Sequence, residues 1–274
     1  MIVVLGLIGG GVAAGLFGSL LGLGGGILIV PLLTLGFGLP LLTAVGVSLV
    51  CVIVTSGASA GVYLERRVAN LRLGMTLELF TAIGALVGGL VAFLVPARFL
   101  ELLFAGLLAY VALTMARRRE PEKEPEVETG DLGPATIDDS TTARLSGPGY
   151  RVRRIPLGVV GSVFAGVVSA LLGIGGGLVK VPVMHVVMGV PLRVATATSN
   201  LMIGITASAS AIVYLARGGI DAYVAGPTAV GVFVGASLGS RLGHRVGQRA
   251  LRVLFVVVLA YTAIEMARRA AGIA

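Results

Sequence analysis

The sequence predicts an all-α, polytopic membrane protein built from two homologous repeats, each with a glycine-broken or re-entrant helix and about three transmembrane helices. Three observations predict it. The chain of 274 residues is 56% hydrophobic and only 12% charged, with a mean hydropathy of +1.01, which no water-soluble domain approaches. Apolar stretches near the roughly 20 helical residues that a ~30 Å hydrocarbon core requires recur along it, without the alternation of a barrel strand. Finally, residues 10–118 lie on residues 161–269 without a gap, at a constant offset of 151.

Each repeat unfolds in the same order. An apolar arm, 2–21 or 155–172, runs into a glycine cluster: Gly22, Gly24, Gly25 and Gly26 in the first repeat, Gly173, Gly175, Gly176 and Gly177 in the second. Glycine costs about 1 kcal/mol relative to alanine inside a helix, so such a cluster ends one. A short arm follows, 27–38 with Pro31 or 178–189 with Pro182. Its dozen or so residues span only ~18 Å as a helix, too little to cross a bilayer. Three longer helices complete each repeat, near 41–64, 74–95 and 98–116, and near 192–215, 223–243 and 249–267. Identical pairs run through them: Pro40 and Pro191, Ser48 and Ser199, Thr55 and Thr206, Gly84 and Gly235, Gly88 and Gly239, Met115 and Met266.

The first membrane repeat is thus 1–116 and the second 155–274, separated by a linker, 117–154, that opens on RRREPEKEPEVE. Such a composition buries no core and predicts disorder. Its flanking arginines place it in the cytoplasm of a prokaryotic plasma-membrane protein, and the net charge of +8 reads as topology signals rather than as a nucleic-acid surface. The N-terminal MIVVLGLIGGG lacks the basic start of a signal peptide and has a counterpart in mid-chain, so it is expected to stay. Cys51, the single cysteine, sits in an apolar run and offers no intrachain disulfide or zinc framework.

Orientation has two solutions. An even number of crossings per repeat makes the repeats parallel; a re-entrant hairpin around the glycines leaves three crossings and inverts them. Arg66, Arg67 and Arg72 crowd the first long loop of one repeat, whereas Arg245, Arg249 and Arg252 crowd the next loop of the other, an exchange that favours inversion. Arg268 and Arg269, and a first arm long enough to span, favour the parallel form; inverted repeats are the expected arrangement.

A helix broken at matching positions of two halves points to a transport site near the membrane midplane. Backbone N–H groups after each break, at Gly24, Gly25, Gly26 and Ile27 and at Gly175, Gly176, Gly177 and Leu178, suit a small anion. Gly22, Pro31, Gly173 and Pro182 shape the breaks. Lys180 adds a cation where the first repeat has Ile29, so the second break is expected to supply more of the charge. Ser48, Thr198, Ser199 and Asn200 complete the candidate site. His185 reads as a packed neutral histidine, with proton movement as the alternative. Glu78, Glu101 and Glu265 lie near predicted helix ends and read as solvated or paired carboxylates. The GxxxG spacings at Gly18 and Gly22 and at Gly84 and Gly88 read as close helix contacts.

Other chemistries fail. GLGGG lacks the third glycine of GxGxxG and the lysine of a P-loop. No Ser/His or carboxylate pair with catalytic spacing is visible beside the isolated His185 and His244, so an enzyme is not expected, nor a cofactor or metal. A membrane scaffold or assembly factor would explain the helices, but not a disruptive break made twice.

The segments GLGGGILIVPLL and GIGGGLVKVPVM, each followed by a proline and then AVGVSL or ATATSNL, resemble those of the TauE/SafE family of sulfite exporters and sulfonate permeases. The resemblance covers both repeats. It implies a secondary transporter of sulfur oxyanions or organosulfonates such as sulfite and sulfoacetate, with a proton or sodium ion as coupling partner. The long charged linker departs from the family pattern, as does AVGVSL, where a threonine often precedes the serine. The expected partners are therefore the lipid bilayer and a small anion, with no nucleic acid; a homo-oligomer stays open.

Overall fold

The computed structural model describes residues 2–20, 25–65, 69–117, 145–147, 150–242 and 248–272. Ten α-helices and no strand stand among them: α1 (Ile2–Leu20), α2 (Gly26–Pro31), α3 (Leu41–Glu65), α4 (Leu71–Ala92), α5 (Ala97–Arg117), α6 (Ile155–Leu172), α7 (Gly177–Pro182), α8 (Leu192–Ala216), α9 (Ala222–Leu242) and α10 (Gln248–Ala270). Seven of them are long and apolar enough to cross a membrane. Phe99, Tyr110, Phe164, Ile212 and Tyr261, each more than half exposed, belong to the apolar outer face that a bilayer would cover.

The short arms are α2 and α7, each prolonged by one wide π turn, Leu32–Gly36 and Val183–Val187. Proline explains the widening. Pro31 and Pro182 sit inside the arm and lack the N–H that would bond four residues back, so the ladder reopens one residue wider. Met188 N–H accordingly bonds the Val183 carbonyl at 3.1 Å.

Each arm folds back along the helix before it. Gly6 of α1 faces Phe37, Gly10 faces Leu32, and Ala14 lies by Gly25, so the two legs run antiparallel. Gly158 against Met188, Gly161 against Val183 and Ala165 by Gly176 trace the same hairpin in α6 and α7. Both are re-entrant in form, with the glycines at the tip.

Glycine also sets how the long helices meet. Gly84 and Gly88 of α4 face Val163 and Val167 of α6, and Gly231, Gly235 and Gly239 of α9 face Ile8, Val12 and Leu16 of α1. At each of these glycines a Cβ would strike a backbone carbonyl, so only glycine allows the approach. In both pairs the residue numbers rise together, and the helices run in the same direction. Helices α3 and α8 run oppositely: Ser56 Oγ donates to Asn200 O (3.2 Å) and accepts from Gly204 N–H (3.0 Å), while Gly46 packs against Gly219, beyond the far end of α8. Helix α5 packs on α10.

Residues near the end of the predicted 117–154 linker pack on the helical body. Leu145 and Val152 are buried among Leu73, Leu77, Met184, Met188 and Met202. Asn70 organises this corner. Its Oδ1 caps α4 by accepting from Leu73 N–H at 3.0 Å, and its Nδ2 donates to Leu145 O (2.8 Å) and Tyr150 Oη (2.7 Å). Burial holds the Tyr150 phenol above its ordinary range. Residues 118–144, and Arg66, Arg67 and Arg245 of the charge comparison, lie outside the described residues.

Candidate functional site

The second break is complete in the structure. Gly173 ends α6 in a left-handed conformation (φ 69°), its N–H bonded to Ser169 O at 2.8 Å, and Gly175 and Gly176 follow at φ 74° and 79°. A side chain at any of the three costs about 1–2 kcal/mol in backbone strain. Helix α7 then starts afresh, with Val179 and Lys180 N–H bonded to the Gly176 carbonyl. In the first break Gly25 takes the same left-handed role (φ 74°) ahead of α2; Gly22 and Gly24 lie outside the described residues.

The two breaks touch. Ser48 Oγ, on α3, reaches both: it lies 2.7 Å from the Gly173 carbonyl and 3.3 Å from the Gly26 carbonyl. A Cβ on Gly26 would lie 2.7 Å from Gly173 O, and one on Gly175 would meet Val52 of α3 and Ile203 of α8. The tips of the hairpins are thus held together where α3 and α8 cross. Ile27 is wholly buried there and Leu178 partly so.

Two hydroxyls at this point have no partner. Ser169 Oγ and Ser199 Oγ are both buried and unbonded. Ser199 Oγ lies 3.5 Å from where a Cβ on Gly177 would stand, and the Ser169 Cβ lies 3.4 Å from the same position on Gly176. An unsatisfied buried hydroxyl costs about 1–3 kcal/mol, so two beside one break mark a place suited to a hydrogen-bonding guest.

Next to them lies an ion pair. Lys180 Nζ contacts Glu78 Oε2 of α4 at 2.5 Å and Thr206 Oγ1 of α8 at 2.6 Å, and Thr206 Oγ1 in turn donates to Glu78 Oε1 at 2.6 Å. Lys180 is 2% exposed and Glu78 3%. Two expectations change here. Glu78 stands about two turns into α4, buried and not near the helix end, and of the two readings it is the paired carboxylate. Lys180 does not offer a free charge to the break, because Glu78 neutralises it. Sequence reading missed Glu78 and Thr206 as partners of Lys180, since three helices far apart in the chain bring them together.

The remaining candidates separate. Thr198, Ser199 and Asn200 are consecutive on α8 and therefore serve different neighbours. Thr198 Oγ1 accepts from Asn70 N–H at 2.9 Å, away from the break, and the Asn200 carbonyl takes the Ser56 hydroxyl. Ser199 Oγ faces the start of α7. His185 Nδ1 lies 2.9 Å from Val190 O. Glu265 pairs with Arg268 at 3.5 Å on the surface. Cys51 is buried in the apolar core. Among the described residues no group of acidic, histidine or cysteine side chains is placed to hold a metal.

Two re-entrant hairpins meeting at their glycine tips inside a bundle of membrane-length helices define a polytopic membrane transporter. The chain belongs to the TauE/SafE family: the family described as sulfite exporter TauE/SafE matches residues 7–266. It is 27% identical over 229 residues to a Bacillus subtilis protein named probable membrane transporter protein YunE, covering 81% of this chain and 80% of that one. It is 29% identical over 210 residues to another from the same organism, YdhB, covering 76% and 77%. No solved structure matches the chain.

Proposed function

We propose that the protein is a secondary transporter of small sulfur oxyanions or organosulfonates, binding one anion between two inverted repeats and exposing it alternately to the two sides of a bacterial-type plasma membrane. The observation that carries this reading is the pair of unpartnered buried hydroxyls, Ser169 and Ser199, beside the Gly176–Gly177 break, where it abuts the first break. A sulfonate or sulfite offers several acceptor oxygens. The hydroxyls, with the N–H groups at the start of each short arm, offer donors.

Inversion is supported by helix direction. The equivalent helices α3 and α8 run oppositely, and each hairpin's long leg lies parallel to the second long helix after the other hairpin, α1 to α9 and α6 to α4. Alternating access then needs one repeat's hairpin to shift against the other repeat, across the Ser48 contacts. The family description supports the anion class, and the transporter names of the relatives support transport.

Proteoliposomes holding the purified chain are expected to take up radiolabelled sulfite or methanesulfonate faster than empty liposomes. A leucine at position 176 forces a side chain into a left-handed glycine site. The Gly176→Leu variant is therefore expected to lose about tenfold or more of the rate, equivalent to ~1.4 kcal/mol. Uptake no faster than that of empty liposomes, or undiminished in the variant, would count against the reading.

A further inference from the structure

The Lys180–Glu78–Thr206 cluster has an internal control in the other repeat. The 151-residue offset places Ile29 and Thr55 of the first repeat, and Ala229 of the second, at the equivalent positions. Ile29 is wholly buried, and Thr55 Oγ1 bonds back to the carbonyls of its own helix, at Cys51 and Val52. The fold is therefore built at this position without any charge. Replacing a buried ion pair by packed apolar groups is commonly neutral or stabilising, so stability does not account for the pair.

Its position suggests what does. The Lys180 Cε lies 3.6 Å from the point where a Cβ on Gly176 would stand, and Ser169 Cβ lies 3.4 Å from that point, so the lysine stem and Ser169, which carries one of the two unpartnered hydroxyls, flank the same glycine of the break. We propose, on the transport reading above, that this cluster couples each anion to one proton. With the site empty, the Lys180 ammonium pairs with the Glu78 carboxylate. When an anion enters at the second break, the ammonium turns to it, and Glu78, left without its counter-ion, takes a proton from water while Thr206 keeps its hydrogen bond to the acid.

Charge conservation is the physical reason. The buried site holds one cation and one anion when empty. Loaded, it holds one cation, one bound anion and a neutral acid. Both states are neutral, and only neutral states cross a low-dielectric interior cheaply. A loaded site without the proton would carry an excess negative charge. The movement is therefore symport of a proton with a monovalent anion, electrically silent overall.

The other ionisable groups on the surrounding elements are Arg72 on α4, His185 after α7, Arg193 and Tyr214 on α8, and Tyr150, Arg151, Arg153 and Arg154 before α6; α6 itself has none. Tyr214 donates to Ala170 O, His185 Nδ1 lies at Val190 O, and Tyr150 accepts from Asn70. Glu78 is the acid that touches the lysine.

The test uses proteoliposomes with a pH-sensitive dye inside and labelled methanesulfonate, whose charge is constant near neutral pH, or sulfite if only that is carried. An interior one pH unit more alkaline should drive about tenfold accumulation by the native chain, with the interior acidifying as the anion enters. Glu78→Gln should abolish accumulation yet retain exchange of internal for external anion. The double variant Lys180→Ile, Glu78→Ala copies the packing of the first repeat and guards against misfolding of the single variant; it too should lose accumulation. Anion flux that ignores the gradient, or gradient-driven accumulation by either variant at the native level, would overturn the coupling and leave the transport reading standing. No anion flux at all by the native chain would overturn both.

Discussion

Glu78→Leu is expected to destabilise the protein by about 3–5 kcal/mol, because it strands the Lys180 ammonium in the interior with one hydroxyl for company. Lys180 and Glu78 are nearly inaccessible, and Lys180 sits on the second hairpin while Glu78 sits on the first repeat. The loss should therefore appear as the hairpin coming away from α4, as well as a lower midpoint of unfolding. The double variant Lys180→Ile, Glu78→Ala should return to within about 1 kcal/mol of the native chain, as removing both partners of a buried pair commonly does. Equilibrium unfolding in detergent micelles measures all three. A Glu78→Leu variant as stable as the native chain would mean that the lysine reaches water.

The second large effect is expected at Gly26. A methyl group there would lie 2.7 Å from both the Gly173 carbonyl and Val52 Cγ2, and one of those neighbours is backbone. Overpacking of this kind costs about 1–3 kcal/mol, and here the strain falls on the contact between the two breaks. Gly26→Ala should therefore fold less stably and lose anion uptake. Gly25→Ala is the contrasting case. Its left-handed φ of 74° costs about 1–2 kcal/mol with a side chain, but the nearest atom to an added Cβ is 3.7 Å away. It should lower stability by a similar amount and keep uptake. Equal uptake by the two variants would show that the tips need not touch.

Much of this was legible in the sequence because periodic features are local. Runs of apolar residues set the long helices to within about three residues at their ends. The glycine clusters announced the breaks, and Pro31 and Pro182 announced an irregular arm, though not that the irregularity is a π turn. What the sequence hid depends on contacts between remote segments. Glu78 and Lys180 are separated by 102 positions, and nothing local distinguishes a carboxylate that will be buried from one at a helix end. Thr198 and Ser199 looked alike as hydroxyls, yet the roughly 100° between successive helical residues sends the first to Asn70 and the second to the break. The signal that could have found Glu78 was Lys180 itself: a cation inside a membrane asks for an anion, and α4 carries one acidic residue in its span.

In the inverted arrangement proposed above, oppositely directed repeats bring the two breaks to one point, and the side on which the chain ends tests them most directly. In that arrangement α3, α4 and α5 cross between the first hairpin and the linker, and α8, α9 and α10 between the second hairpin and the C-terminal end. Sidedness reporters inserted between residues 118 and 144 and fused after the last residue of this sequence should therefore report opposite sides of the membrane. Reporters on the same side would require an even number of crossings in the second repeat, and would contradict the inverted arrangement.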